Sequence, residues 1–217
     1  MPKLNIGLDI DGVINNLDIF HYGYGVPFFK KMHLDKTGIL LPDNEIIKDN
    51  TGFDIRVIFQ CTDKERLAFW KKYLLLYCRR YLPREDASNF TTQLRQEEKK
   101  IHIITSRVFT DKKNVVGLLF RHLLLQYLME FQIEYDTITF CSEHNSLEDK
   151  ILACQKNEID IMLEDKRENV LGLSKICDVV CFDASYNRDC NGSNIIRVNN
   201  FKEAYDFVNG YKKVKSM

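Results

Sequence analysis

The sequence predicts an α/β protein: a three-layer α/β/α core around a parallel sheet, with an inserted, mainly helical cap after the first strand. Three observations predict it. Six short apolar runs, at 4–10, 101–106, 137–141, 159–163, 178–183 and 195–198, read as buried strands. From the second run onward they alternate with helical segments, the pattern of a sheet covered on both faces. The interval from about 17 to 100 contains no such run. It far exceeds the roughly dozen residues that a parallel crossover needs, so it reads as an insertion over one end of the sheet.

Taken in order, the first run, "LNIGLDI", ends in Asp9 and Asp11, and Gly12 follows at once. The insertion carries the aromatic, glycine-spaced "FHYGYGVPFF" and two helical segments, about 63–82 and 86–100. Thr62 and Glu65 form a capping box for the first of these. Phe20, Tyr24 and Phe28 are expected to pack inside the insertion. The second run ends in Thr105, Ser106 and Arg107. Around Val115 to Phe131, an apolar stretch interrupted by Arg121, His122, Gln126 and Glu130 reads as an amphipathic helix, not a membrane span. "SLEDKILACQ" begins a helix carrying Lys150, and the run at 159–163 is followed by Glu164 and Asp165. Asn200, with Glu203 three residues on, caps a last helix. The expected organisation is a core of residues 1–16 and 101–217 with an inserted cap at 17–100.

Bulk composition narrows the function. The chain has 217 residues, 45% of them hydrophobic, enough for one domain with a filled core. Its 31 basic and 31 acidic residues cancel, giving no electrostatic reason to expect nucleic acid or an anionic membrane as partner. The start of the sequence lacks the apolar stretch of a signal peptide, and the 7 cysteines are scattered without a C-x-x-C pair. The expected setting is therefore cytoplasmic, with reduced thiols. The 5 histidines lack metal-ligand spacing. Nothing in the sequence indicates the oligomeric state.

In open parallel sheets, ligands bind at the carboxyl ends of the strands. There the runs place Asp9, Asp11, Thr105, Ser106, Glu164 and Asp165, with Lys150 on a neighbouring helix. Asp9 and Asp165 are hard oxygen donors suited to Mg²⁺, with the Asp11 backbone carbonyl as a third ligand. Thr105 can donate to a phosphate oxygen and Lys150 can neutralise it. Gly12 permits a sharp departure that would leave backbone N–H groups facing an anion. Arg107 and Arg188 are candidate contacts to a substrate anion, and surface salt bridging is an equal reading of both. Alone, each residue has an ordinary structural explanation. The order in which they occur, each beside an apolar strand, is what points to phosphoryl chemistry.

The same residues resemble the haloacid dehalogenase superfamily of phosphohydrolases. "LDIDGVI" is similar to its first motif, "IITSR" to its second, Lys150 to its third and "IMLED" to its acidic fourth. The later half, including Tyr186, Asn187 and Arg188, looks closest to the type C 5′-(deoxy)nucleotidase-like group. The resemblance implies a Rossmann-like core and a Mg²⁺-dependent phosphatase. Asp9 would be the nucleophile and Asp11 the acid and base. Thr105, Ser106, Gly12 and Lys150 would hold the phosphoryl group. Asp165 would bind the metal directly and Glu164 through water. The expected partner is a small phosphorylated metabolite, with a nucleoside 5′-monophosphate as one class. A sugar, polyol or amino-alcohol phosphate of surface-polysaccharide assembly is the alternative. A non-catalytic phosphate-binding regulatory module is the reading from another class.

Overall fold

The structure is a computed structural model that describes residues 3–211. In chain order its elements are β1 (Asn5–Leu8), α1 (Leu17–Thr37), α2 (Asp43–Ile46), α3 (Ile55–Phe59), α4 (Asp63–Arg79), α5 (Ala87–Gln96), β2 (Lys100–Thr105), α6 (Val115–Glu130), β3 (Thr137–Phe140), α7 (Ser146–Lys156), β4 (Ile161–Glu164), α8 (Arg167–Leu173), β5 (Asp178–Phe182), β6 (Ile195–Val198) and α9 (Phe201–Gly210). All six apolar runs form strands. Among the described residues they make one six-stranded parallel sheet, ordered β3-β2-β1-β4-β5-β6. In register, Ile6 lies beside Ile101 and Ile161, and Leu8 beside Ile103 and Leu163.

Strand periodicity sends successive side chains to opposite faces, and both faces are covered. Ile103, Leu163 and Val180 join a core with Phe90 and Leu94 of α5, Leu124 and Leu128 of α6, and Phe201 and Val208 of α9. Their strand neighbours Ile104, Met162 and Val179 pack instead against Ala153 and Cys154 of α7 and Val170 and Leu173 of α8. This is the predicted three-layer arrangement, and it aligns the ends of β1, β2 and β4 along one edge.

The first run is shorter as a strand than its apolar stretch. Asp9 ends it by accepting the Ile10 N–H at 2.7 Å on its own carboxylate. The chain then bends through Gly12 at φ +86°, and Asn15 N–H closes the turn on the Ile10 carbonyl at 3.1 Å. A Cβ at position 12 would overlap the Asp165 carboxylate as well as strain the backbone. β4 begins two residues later than its apolar run because the Ile159 N–H is spent on the Cys154 carbonyl at the end of α7.

Between β1 and β2, α1, α3 and α4 build a separate aromatic core from Phe20, Phe29, Ile58, Phe59, Phe69 and Tyr77, with Phe120 of α6 against it. Fully burying each phenyl ring contributes about 1.5–3 kcal/mol. Phe20 sits within 4.6 Å of the Tyr77 ring centroid and 4.7 Å of Tyr24. The Thr62–Glu65 capping box is present at the start of α4, and Asn200 caps α9 through the Glu203 N–H. The 21-residue helix α1 is not apparent in the sequence, because Gly23, Gly25 and Pro27 interrupt its helical pattern. Gly25 is used for contact: a Cβ there would strike the Phe59 ring. α5, by contrast, packs its Phe90 against Phe201 in the sheet core, at 4.9 Å between centroids.

Candidate active site

At the carboxyl edge of the sheet lies a cavity of about 350 Å³, bounded by the strand ends below and by α1, α3 and α4 above. Asp9, Asp11, Thr105, Ser106, Lys150 and Asp165 all line it. Five come from strand ends or the residues just beyond them, and Lys150 comes from α7 one turn after Ser146. The sequence therefore brings together groups from four segments, and the geometry shows how each is held.

Lys150 is buried and central. Its Nζ lies 2.5 Å from Asp9 Oδ2 and 2.6 Å from Glu164 Oε2. Glu164 is fully enclosed: its Oε1 accepts the N–H groups of Asp165 and Lys166, both at 3.1 Å, and Asn169 Nδ2 donates to Oε2 at 3.3 Å. Asp165 receives the Tyr186 hydroxyl on Oδ2, and Asn187 Nδ2 donates to its backbone carbonyl at 2.6 Å. Tyr186 and Asn187 thus fix the carboxylate and the backbone of one acidic residue. Ser106 and Ser146 share a hydroxyl hydrogen bond at 2.9 Å. Thr105 differs from all of these. Its Oγ1 is buried at the cavity and has no hydrogen-bond partner among the described residues. An unmet buried hydroxyl costs about 1–3 kcal/mol, so such a group is expected to have a ligand.

The electrostatics point the same way. Among the described residues, Asp9, Glu164 and Asp165 can each bring a carboxylate oxygen within 4.8 Å of the others'. Burial lifts the Asp9 carboxyl to about 6 against the pull of Lys150, and Glu164 adds to the rise. Burial also drives Asp165 well above the ordinary carboxylate range, with Glu164 and Asp9 reinforcing it. Burial opposes the charge on Lys150, but Asp9 and Glu164 outweigh it and hold the ammonium protonated. Three buried carboxylates against one ammonium leave the site short of positive charge. Hard oxygen donors in that condition suit a divalent cation.

Two sequence expectations are corrected. Arg107 does not face a substrate anion. It is buried behind the cavity with its guanidinium 2.9 Å from Asp11 Oδ1, donating to the Tyr77 backbone carbonyl at 3.0 Å. The Gly12 N–H is not free for an anion either, because it donates to Asn15 Oδ1 at 3.1 Å. Gly12 serves the turn and the close approach of Asp165 instead. Arg188 is exposed and lies outside the cavity lining.

Sequence reading did not find Tyr77, Asn15 or Asn169. Tyr77 O–H donates to Asp11 Oδ1 at 2.8 Å, and Asn15 Nδ2 reaches the same oxygen at 3.3 Å. His21, one of the histidines without metal-ligand spacing, lines the upper cavity with Trp70 and Phe53, and both its ring nitrogens are buried without a partner among the described residues. Asn15 and Asn169 had a weak signal in their closeness to the acidic motifs. Tyr77 had none, since a tyrosine on an amphipathic helix reads as packing.

The fold is shared with solved structures of haloacid dehalogenase-like hydrolases. The solved structure of "Hydrolase, haloacid dehalogenase-like family protein SP0104 from Streptococcus pneumoniae" matches with a TM-score of 0.53 at 13% identity, covering 94% of this chain and 97% of that one. Among curated proteins, "Nucleotidase CA_C3379" of Clostridium acetobutylicum is 27% identical over 209 residues, 96% of this chain and 95% of its own. YqfW of Bacillus subtilis is also 27% identical, over 212 residues, 96% of this chain and 95% of its own. No protein-family model matches the chain.

Proposed function

We propose that this chain is a Mg²⁺-dependent phosphomonoesterase that works through an aspartyl-phosphate on Asp9. The observation that carries the reading is the placement of Asp9: salt-bridged to Lys150, grouped with Glu164 and Asp165, and lining one cavity with the unpartnered Thr105 hydroxyl. Lys150 and Thr105 hold the phosphoryl oxygens. A carboxylate oxygen of Asp9 attacks phosphorus, and Asp11 protonates the departing oxygen. Asp11 then removes a proton from water, which attacks the same phosphorus and frees Asp9 and inorganic phosphate. Asp9, Asp165 and the Asp11 backbone carbonyl would hold Mg²⁺, with Glu164 enclosed behind them against Lys150 and the Asp165 N–H. The ion supplies positive charge against the phosphate and the carboxylates.

The substrate is a small phosphorylated metabolite. A nucleoside 5′-monophosphate is the class we favour, supported by the nucleotidase name of the Clostridium acetobutylicum relative and by Trp70 and Phe53 in the cavity wall. About 350 Å³ is the lower part of the range for a metabolite pocket. The division of the chain into a core and an inserted helical cap belongs to this proposal, with the aromatic cluster of α1, α3 and α4 forming the roof. A cytoplasmic setting also belongs to it; among the described residues no helix is long and apolar enough to cross a membrane. The test is phosphate release, with Mg²⁺ and with EDTA, over nucleotides, sugar phosphates and polyol phosphates. Release from nucleoside monophosphates that EDTA abolishes is expected. Preference for a polyol or sugar phosphate would move the substrate assignment while leaving the chemistry.

A further inference from the structure

Asp11 is held by more than its own loop. Its Oδ1 accepts the Tyr77 hydroxyl at 2.8 Å and Asn15 Nδ2 at 3.3 Å, and it is ion-paired with the Arg107 guanidinium at 2.9 Å. None of the hydrogen bonds and ion pairs of the described residues involves Asp11 Oδ2. Arg107 cannot wander. It is 2% exposed, and its guanidinium lies 5.1 Å from the Tyr77 ring centroid and 5.5 Å from that of Tyr127. A guanidinium packed against two rings keeps its position, which holds its charge beside Asp11. Tyr77 in turn belongs to α4, so the inserted helices supply one of the groups that orient a residue of the β1 loop.

From this geometry we infer that Arg107 and Tyr77 are positioning residues for Asp11, clamping Oδ1 so that Oδ2 is presented to the leaving oxygen. The inference rests on the phosphomonoesterase reading and deepens it. In the step concerned, the P–O bond to the leaving group breaks as the bond from Asp9 forms. The proton on Asp11 Oδ2 passes to the departing oxygen, leaving a neutral alcohol and an ionised Asp11. The clamp contributes only while that proton is moving. Misplacing a proton donor by about 1 Å is enough to cost a large factor in rate. Lysine in place of Arg107 would keep the charge and lose the planar fork and ring packing.

The experiment compares the parent with Tyr77→Phe, Arg107→Lys and Asp11→Asn on a series of para-substituted phenyl phosphates, whose leaving groups differ in basicity but hardly in shape. The quantity read is kcat/KM, which reports the step that expels the phenol. Near-UV circular dichroism establishes that each variant is folded. Tyr77→Phe keeps the ring and removes only the hydroxyl, so it tests the clamp even where an Arg107 variant fails to fold. With phenyl phosphate we expect Tyr77→Phe to lose about tenfold, a fraction of the roughly 10²–10⁴-fold of general acid catalysis. With 4-nitrophenyl phosphate the loss should fall below about threefold, because nitrophenoxide leaves without a proton. A loss equal across the series, or no loss, overturns the positioning role. A parent that releases no phosphate from any ester overturns the phosphatase reading itself, and the inference with it.

Discussion

Lys150 Nζ lies 2.5 Å from Asp9 Oδ2, inside the protein and at the meeting point of β1 and α7. The same ammonium lies 2.6 Å from Glu164, so one side chain pairs with two buried acids that the fold forces together. A buried ion pair of this kind adds little to stability when compared with apolar residues, yet breaking it leaves charges stranded.

Lys150→Met should therefore cost stability as well as activity. Removing one partner of a buried pair is worth about 3–5 kcal/mol. Urea unfolding at neutral pH in EDTA measures it. A variant as stable as the parent would show that Asp9 and Glu164 relax without the lysine.

Thr105→Val should separate function from stability. The hydroxyl has no partner among the described residues, so replacing it with a methyl leaves the unfolding free energy unchanged or slightly higher. The inhibition constant for inorganic phosphate should rise about tenfold, the value of one hydrogen bond to a charged oxygen. Unchanged phosphate affinity would mean that the hydroxyl faces the cavity without contacting the phosphoryl group.

Asp165→Asn should remove the response to metal. In the parent, adding Mg²⁺ raises the melting temperature, because the ion binds the folded state alone. In the variant the rise should vanish. In EDTA it should melt no lower than the parent, since a buried carboxylate has been taken from a group already short of positive charge. Thermal unfolding of both proteins with and without Mg²⁺ checks both halves.

His21 predicts a pH dependence of stability. Burial lowers its imidazole from 6.5 to about 4, with Asp54 opposing the change. Its folded form is thus neutral where its unfolded form is charged, and the unfolded state takes up more protons. The resulting stability is present above pH 6.5 and is lost as pH falls from 6.5 towards 4. The loss attributable to this side chain is about 3 kcal/mol once both forms are charged. His21→Gln should flatten that part of the curve, read as the difference between parent and variant in denaturant unfolding from pH 7 to pH 4. Parallel curves would place the titration elsewhere.

What was legible in the sequence follows from what a parallel sheet does. The apolar runs named the strands, and whatever polar residue ended a run had to stand at the sheet edge. Asp9, Thr105 and Asp165 could be read in that way without knowledge of the fold. Direction was harder. Arg107 is adjacent to Ser106, yet its side chain runs behind the loop to Asp11 and between Tyr77 and Tyr127, a path set by tertiary packing alone. Helix α1 was hidden for a related reason. Its glycines and Pro27 weaken local helix preference, and burial of Phe20 and Phe29 against α3 and α4 overrides that preference. Gly12 was read correctly as a bend but not as a group whose amide is already used, since Asn15 only reaches it after the turn has formed.

The central claim is that Asp9 takes the phosphoryl group, and one comparison tests it most directly: Mg²⁺-dependent phosphate release by the parent and by Asp9→Asn on the same ester. The amide keeps the shape of the carboxylate and cannot form the aspartyl-phosphate. The account predicts that turnover falls by at least about a thousandfold, as for loss of an enzyme's nucleophile, in a protein that remains folded. Turnover in Asp9→Asn within about tenfold of the parent would contradict it.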